Sequence, residues 1–178
     1  MARPVSAAIL DVDYGEGVAR AAALVATDLG DAESEHERVI ELAHLAPYEP
    51  GSFYRRELPC LLAVLERLPP PRPELLVIDG YVWLDAAGTK GLGAHLSDAL
   101  GGARVIGVAK TAYRGAAFAA RVLRGTSQSP LFVTSVGIEP SEAAALVAAM
   151  HGPHRIPTLL RRVDQLARSL VAPRVDRG

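Results

Sequence analysis

The sequence predicts an α/β domain in which an antiparallel meander of three strands precedes alternating strands and helices around one mixed sheet. Short apolar runs bounded by turn residues indicate buried strands, and leucines at helical spacing indicate helices. The two patterns alternate through the second half of the chain. A length of 178 residues suits a single domain, which we predict over residues 1–171, with a tail over 172–178.

The first three strands are predicted over residues 5–12, 17–28 and 37–43, with a turn at 14–17. A Pro- and Gly-rich loop at 47–51 follows. Leucine spacing then predicts a helix that starts near Glu57 and carries Pro59 in its first turn. After a proline run, residues 75–78 predict a buried parallel strand that ends on Asp79.

The second half continues with a predicted helix at 92–100, a buried strand at 104–110 in which Gly107 serves close packing, and a hairpin over 116–136. Two helices close the chain, at 141–150 with Ser141 as N-cap and at 156–171, and residues 172–178 are expected to fray. This element order is that of a ribonuclease-H-like fold, with parallel strands flanked by helices. In such a fold the first and fourth strands are adjacent, which predicts that Asp11 and Asp79 are neighbours.

The composition excludes several classes of protein. Hydrophobic residues make up 49% and charged residues 22%, and the net charge of −1 gives no global attraction for polyanions. The single cysteine, Cys60, excludes an internal disulfide and a thiolate zinc cluster, and we expect it to pack in a helix. We find neither a signal-peptide pattern nor an apolar run of the ~18 residues that span a membrane. We therefore expect a cytoplasmic protein with no membrane partner, and a monomer, although the oligomeric state is left open.

Acidic residues at strand ends predict a site for Mg²⁺ or Mn²⁺. Asp11 and Asp79 would repel each other at close range unless a cation neutralised them. Glu57, in the predicted first turn of a helix and kept ionised by the helix dipole, would add a third oxygen ligand. Asp13 is the alternative to Asp11 because it shares the same side of its strand. Each acid taken alone could instead be a solvated surface charge.

Four stretches, in order, resemble the Endonuclease V family: residues 9–14 (ILDVDY), 47–51 (PYEPG) with 53–59 (FYRRELP), 77–80 (VIDG) and 106–110 (IGVAK). Residues 130–134 and 155–157 are similar to the closing elements of that family. The resemblance covers nearly the whole chain. It implies a ribonuclease-H-like, Mg²⁺-dependent nuclease that recognises hypoxanthine and cuts the second phosphodiester bond 3′ of deoxyinosine, with some members acting on inosine in RNA.

The resemblance also implies roles for individual residues. Asp11, Glu57 and Asp79 match the metal-binding acids, and Lys110 matches the lysine at the phosphate. Around the base, Tyr48 matches a wedge that fills the gap left by the extruded nucleotide, and Gly80 matches the backbone that approaches the base; the base-contacting set is completed by Pro50, Gly51 and Tyr81. Tyr48 as a partly packed aromatic and Lys110 as a solvated charge are the alternatives.

Two departures from the family pattern favour a second hypothesis. Residues 81–83 (Tyr-Val-Trp) stand where the family has His-Gly, and residues 135–139 lack the family's late histidine, for which Glu139 is a candidate to supply a carboxylate instead. His95 either matches a family position or is structural. The chain could therefore be a noncatalytic relative that binds a modified nucleotide or nucleic acid without cleaving it. A third hypothesis is a phosphoryl-transfer or small-molecule enzyme of generic α/β type.

Overall fold

Seven strands form one mixed sheet in a computed structural model that describes residues 3–43, 47, 49–50 and 53–176. The strand order is β3-β2-β1-β4-β5-β7-β6. The strands are β1 (Ala7–Gly15), β2 (Val18–Ala26), β3 (His36–Ala43), β4 (Leu75–Asp79), β5 (Val105–Ala109), β6 (Ala120–Val122) and β7 (Leu131–Val136). The helices are α1 (Phe53–Leu65), α2 (Leu92–Ala99), α3 (Pro140–Ala149) and α4 (Thr158–Ala167), with a short 3₁₀ turn at Ala116–Phe118. The predicted ribonuclease-H-like fold is confirmed.

The meander and the later hairpin both form as predicted. β2 pairs antiparallel with β1 and with β3, and the turn between β1 and β2 uses positive φ at Glu16 and Gly17, as two-residue hairpin loops require. β1, β4 and β5 are parallel neighbours. β7 runs antiparallel to both β5 and β6, so its last residue, Val136, lies opposite the first residue of β5, Val105.

Strand alternation divides the core into two layers. Ile9 of β1 and Val77 of β4 pack in the layer beneath α3 and α4, whereas the adjacent Leu10 and Ile78 pack beneath α1 and α2. Cys60 is buried in the second layer, in agreement with its predicted packing role. No helix within the described part of the chain has the length and apolar character needed to cross a bilayer.

Two helix starts differ from the predictions. α1 begins at Phe53, not near Glu57, so Pro59 lies in the helix interior and Glu57 lies in the second turn. Proline was a misleading marker because it is tolerated best in a first turn. The N-cap of α3 is Glu139, not Ser141, and Pro140 occupies the start of the helix, where its missing N–H costs no hydrogen bond.

The expectation of a frayed tail is wrong for residues 172–176. The carboxylate of Glu37 is buried and accepts hydrogen bonds from the Arg162 guanidinium at 2.9 Å and from the Arg174 backbone N–H at 2.7 Å. Asp176 pairs with Arg38 and His36. The tail is therefore fixed against β3 by contacts between residues more than 130 positions apart.

Candidate active site

Asp11 and Asp79 emerge side by side at the centre of the sheet. β1 and β4 are parallel and in register up to Leu10 opposite Ile78, so the next residue of each strand is an aspartate. The prediction that the two are neighbours is confirmed. Both side chains lie on the α3–α4 side of the sheet, where they line a small pocket that also includes Val163 of α4.

Glu57 approaches the same edge from the opposite side of the sheet, on α1. Asp11, Glu57 and Asp79 line one cleft of about 270 Å³. Asp79 is the shared neighbour, because its charge acts on both Asp11 and Glu57. Among the described residues, no three His, Cys, Asp or Glu side chains are already gathered closely enough to hold a metal ion.

The cleft is a poor environment for several negative charges. Burial, and after it the charge of the nearby Asp79, raise the pKa of Asp11 to about 7. Burial and Asp79 likewise raise the pKa of Glu57 to about 7. The predicted helix-dipole stabilisation of Glu57 is wrong, since no acidic residue lies in the first turn of α1. A divalent cation would counter the repulsion, and oxygen donors alone suit Mg²⁺ or Mn²⁺.

Lys110 supplies a positive charge at the same edge. It directly follows β5, and its Nζ donates a hydrogen bond to Asp79 Oδ2 at 3.1 Å. The Arg155 guanidinium fixes the backbone here, because it donates to the carbonyl oxygens of Ser129 at 2.9 Å, Pro130 at 3.0 Å and Lys110. The sequence places Arg155 in a stretch similar to the family, but no local pattern indicates this positioning role.

A fourth carboxylate, Asp164 of α4, was not predicted. Its charge contributes to the raised pKa of Asp11, and it lines a cleft beside Lys110. Helical periodicity is the signal that could have found it. Asp164 follows the buried Leu160 by four residues and precedes the buried Ala167 by three, so it borders the packed face of α4.

The chain turns sharply after Asp79 and packs against β5. Gly80 has a φ of +134°, which residues with a side chain rarely adopt. A Cβ at Gly107 would lie 2.5 Å from the Gly80 carbonyl oxygen, so the predicted role of Gly107 in close packing is confirmed. The Val82 N–H then donates to the Thr134 hydroxyl at 2.8 Å.

The side chains that depart from the family pattern have defined contacts. Trp83 Nε1 donates to the Ser135 carbonyl at 2.9 Å. The Tyr81 hydroxyl donates to the Thr111 carbonyl at 2.7 Å and accepts from the Tyr113 N–H at 3.0 Å. Tyr81 thus joins the turn after β4 to the loop after β5, which is the side of the site where we predict the base.

Other predicted residues are placed less centrally. Tyr48 and Gly51 lie outside the described residues, and Pro50 is exposed. Asp13 is also exposed and is not part of the cleft that Asp11 lines. His95 stacks on Tyr54 with ring centroids 3.6 Å apart, which joins α2 to α1 and supports its structural alternative.

The alternative in which Glu139 supplies a carboxylate in place of the late histidine is contradicted by the strand directions. β7 is antiparallel to β5, so the residues after Val136 lie at the edge where β5 begins, whereas Asp79 and Lys110 lie where β4 and β5 end. Glu139 is exposed at the start of α3. The composition of residues 135–139 therefore has no direct bearing on the carboxylate cleft.

Comparison with known proteins gives consistent results. The profile of the Endonuclease V family matches residues 4–165. Endonuclease V of Streptomyces avermitilis is 37% identical over an alignment that covers 89% of this chain and 77% of the relative, and Endonuclease V of Thermococcus kodakarensis is 32% identical, covering 89% and 76%.

Solved structures share the fold. The crystal structure of the S. avermitilis protein superposes with a TM-score of 0.72 at 28% identity, covering 94% of this chain and 83% of the other. Ciona intestinalis Endonuclease V, in complex with a DNA containing an inosine followed by a ribo-adenosine, superposes with a TM-score of 0.80 at 18% identity, covering 94% and 86%. From the profile match and the identity to curated relatives, the chain belongs to the Endonuclease V family.

Proposed function

We propose that the protein is a metal-dependent endonuclease that cleaves DNA or RNA near deoxyinosine or inosine, on the 3′ side of the lesion. Family membership supports the nuclease class. The observation that carries the proposal is the single cleft lined by Asp11, Glu57 and Asp79, with Lys110 paired to Asp79 at its edge. Repair of deaminated DNA or processing of inosine-containing RNA is the corresponding biological role.

Mg²⁺ or Mn²⁺ is the proposed cofactor, held by Asp11, Glu57 and Asp79. The raised pKa values of Asp11 and Glu57 support a cation at this place, because their causes are burial and the charge of Asp79. Such an ion, when bound, binds a phosphate oxygen, lowers the pKa of an attacking water and stabilises the leaving oxygen. The charge of Asp164 also acts on Asp11.

Lys110 is the proposed phosphate contact. Its ammonium group donates a hydrogen bond to the Asp79 carboxylate. If Asp79 is engaged by a cation, the same ammonium group is free to donate to a non-bridging phosphate oxygen. Arg155 donates to the Lys110 carbonyl and so holds the backbone of Lys110 in place while its side chain changes partner. Gly80 and Tyr81 are proposed to border the extruded base, and Tyr48, Pro50 and Gly51 stay predictions for the opposite side.

Oligonucleotide cleavage tests the proposal directly. Labelled DNA with one deoxyinosine, matched DNA with deoxyadenosine, and inosine-containing RNA are incubated with Mg²⁺, Mn²⁺ or EDTA. We expect metal-dependent cleavage 3′ of the modified base. Asp79→Asn should abolish cleavage, whereas Asp13→Asn, an exposed acid on the same strand as Asp11, should preserve it. If the wild-type protein cuts neither nucleic acid, the proposal is refuted.

A noncatalytic binder of inosine-containing nucleic acid is the second candidate. Two observations favour it: the described residues contain no group of three donors already at metal-binding distance, and Asp79 already has Lys110 as a partner. Tight, metal-independent binding of the deoxyinosine oligonucleotide without any turnover in Mg²⁺ or Mn²⁺ would support this candidate over the nuclease.

A further inference from the structure

Two tyrosines form an aromatic pair beside the proposed active site. The rings of Tyr81 and Tyr113 have centroids 6.0 Å apart and are tilted by 53°. The Tyr113 N–H donates to the Tyr81 hydroxyl, which itself donates to the Thr111 carbonyl. These contacts fix the loop after β5 to the turn after β4.

The two rings differ in their surroundings. Tyr81 packs against a small cluster formed by Ala109, Ala119 and Phe132, and this packing explains its position. Tyr113 is 48% exposed, although a large aromatic side chain gains most when it is buried. Its backbone is anchored while much of its ring faces solvent, which is the arrangement of a contact residue.

The position of the pair indicates what it contacts. Tyr81 follows Asp79 by two residues, and Tyr113 follows Lys110 by three, so the pair borders the edge that holds both charged groups. A nucleic-acid strand with a phosphate at Lys110 would have its neighbouring base near this pair. Exposed aromatic rings stack on bases of any sequence, because every base has a π face.

We propose that Tyr113 is a base-stacking residue for a nucleobase next to the phosphate at Lys110, and that Tyr81 is the positioning residue that holds it. The inference rests on the proposed function for its ligand, a nucleic-acid strand. Tyr113, in the loop after β5, would be an additional contact of the protein with that strand. Stacking contributes through contact area rather than through charge, so its loss should weaken binding without changing the salt dependence.

Binding and single-turnover cleavage of the deoxyinosine oligonucleotide test the inference. With Mg²⁺ and an oligonucleotide that carries an uncleavable linkage at the scissile position, Tyr113→Ala should raise the Kd about tenfold, with the same salt dependence as the wild type. Tyr113→Phe should restore the affinity because it keeps the ring. The cleavage rate at saturating protein should change by less than about threefold, since stacking contributes to binding and not to the chemical step.

Phe118→Ala is the matched control, because Phe118 is another aromatic of the same loop and is 40% exposed. Tyr81→Phe removes only the hydroxyl that fixes the loop and should raise the Kd severalfold. If Tyr113→Ala binds as tightly as the wild type, or if Phe118→Ala causes an equal loss, the inference is refuted although the wild type still cleaves. If the wild type neither binds nor cleaves, the proposed function fails and the inference fails with it.

Discussion

Binding of a divalent cation should release protons, because two of its proposed ligands are partly protonated at neutral pH. The pKa of Asp11 and that of Glu57 are each about 7, owing to burial and to the charge of Asp79. A group with this pKa is half protonated at pH 7, so the pair carries about one proton at pH 7, roughly 1.8 at pH 6 and roughly 0.2 at pH 8. These protons must leave before both carboxylates can bind the ion.

The pH dependence has a definite sign. Since proton release opposes binding at low pH, the apparent affinity for the cation should rise about a hundredfold between pH 6 and pH 8. A raised carboxyl pKa also means that the cation-free fold loses stability as the pH rises from the ordinary carboxyl range to about 7. The increase in Tm on adding cation should therefore be larger at pH 8 than at pH 6.

Isothermal titration with Mn²⁺ at pH 7, in two buffers of different ionisation enthalpy, measures the number of protons released. Asp79→Asn should reduce both the proton release and the affinity, because it removes a ligand and the charge that helps to raise the pKa of both neighbours. Asp13→Asn should titrate like the wild type. Binding that releases no protons, or release that is the same in Asp79→Asn, would contradict the assignment of these carboxylates as ligands.

Other predictions concern parts of the fold that support the cleft. Asp164→Asn should lower the pKa of Asp11 by removing a repulsive charge, and Mn²⁺ titrations should then release fewer protons at pH 7. Gly107→Ala should cost about 1–3 kcal/mol in urea denaturation, because its Cβ would collide with the Gly80 carbonyl. Glu37→Ala should cost about 3 kcal/mol in the same assay, because it removes the buried partner of Arg162. Equal stability of the variant and the wild type would contradict either stability prediction.

Features that depend on a short stretch of sequence could be predicted. Apolar runs that end on Asp11 and Asp79 mark both strands, and the element order makes these strands neighbours. Because successive side chains of a strand point to opposite faces of the sheet, the sequence also places Asp11 and Leu10 on different faces. The close packing of Gly107 could also be predicted, because a glycine within an apolar strand indicates that another part of the backbone approaches it closely.

Features that depend on distant contacts could not be predicted. Arg155 and Lys110 are 45 positions apart, and Glu37 and Arg174 are 137 positions apart. Such hydrogen bonds leave no periodic pattern in either partner's neighbourhood. Glu139 follows the last long strand in the sequence, but the reversed direction of that strand places it at the other edge of the sheet.

Asp79 connects the parts of the proposed site. Asp11 and Glu57 approach from opposite sides of the sheet. The charge of Asp79 raises the pKa of both. Lys110 pairs with this same carboxylate. A cation that engages Asp79 would therefore relieve the repulsion on Asp11 and Glu57 and weaken the ion pair between Asp79 and Lys110. Because one carboxylate takes part in all of these interactions, cation binding and phosphate binding should be coupled, and Asp79→Asn should remove that coupling in addition to lowering the cation affinity.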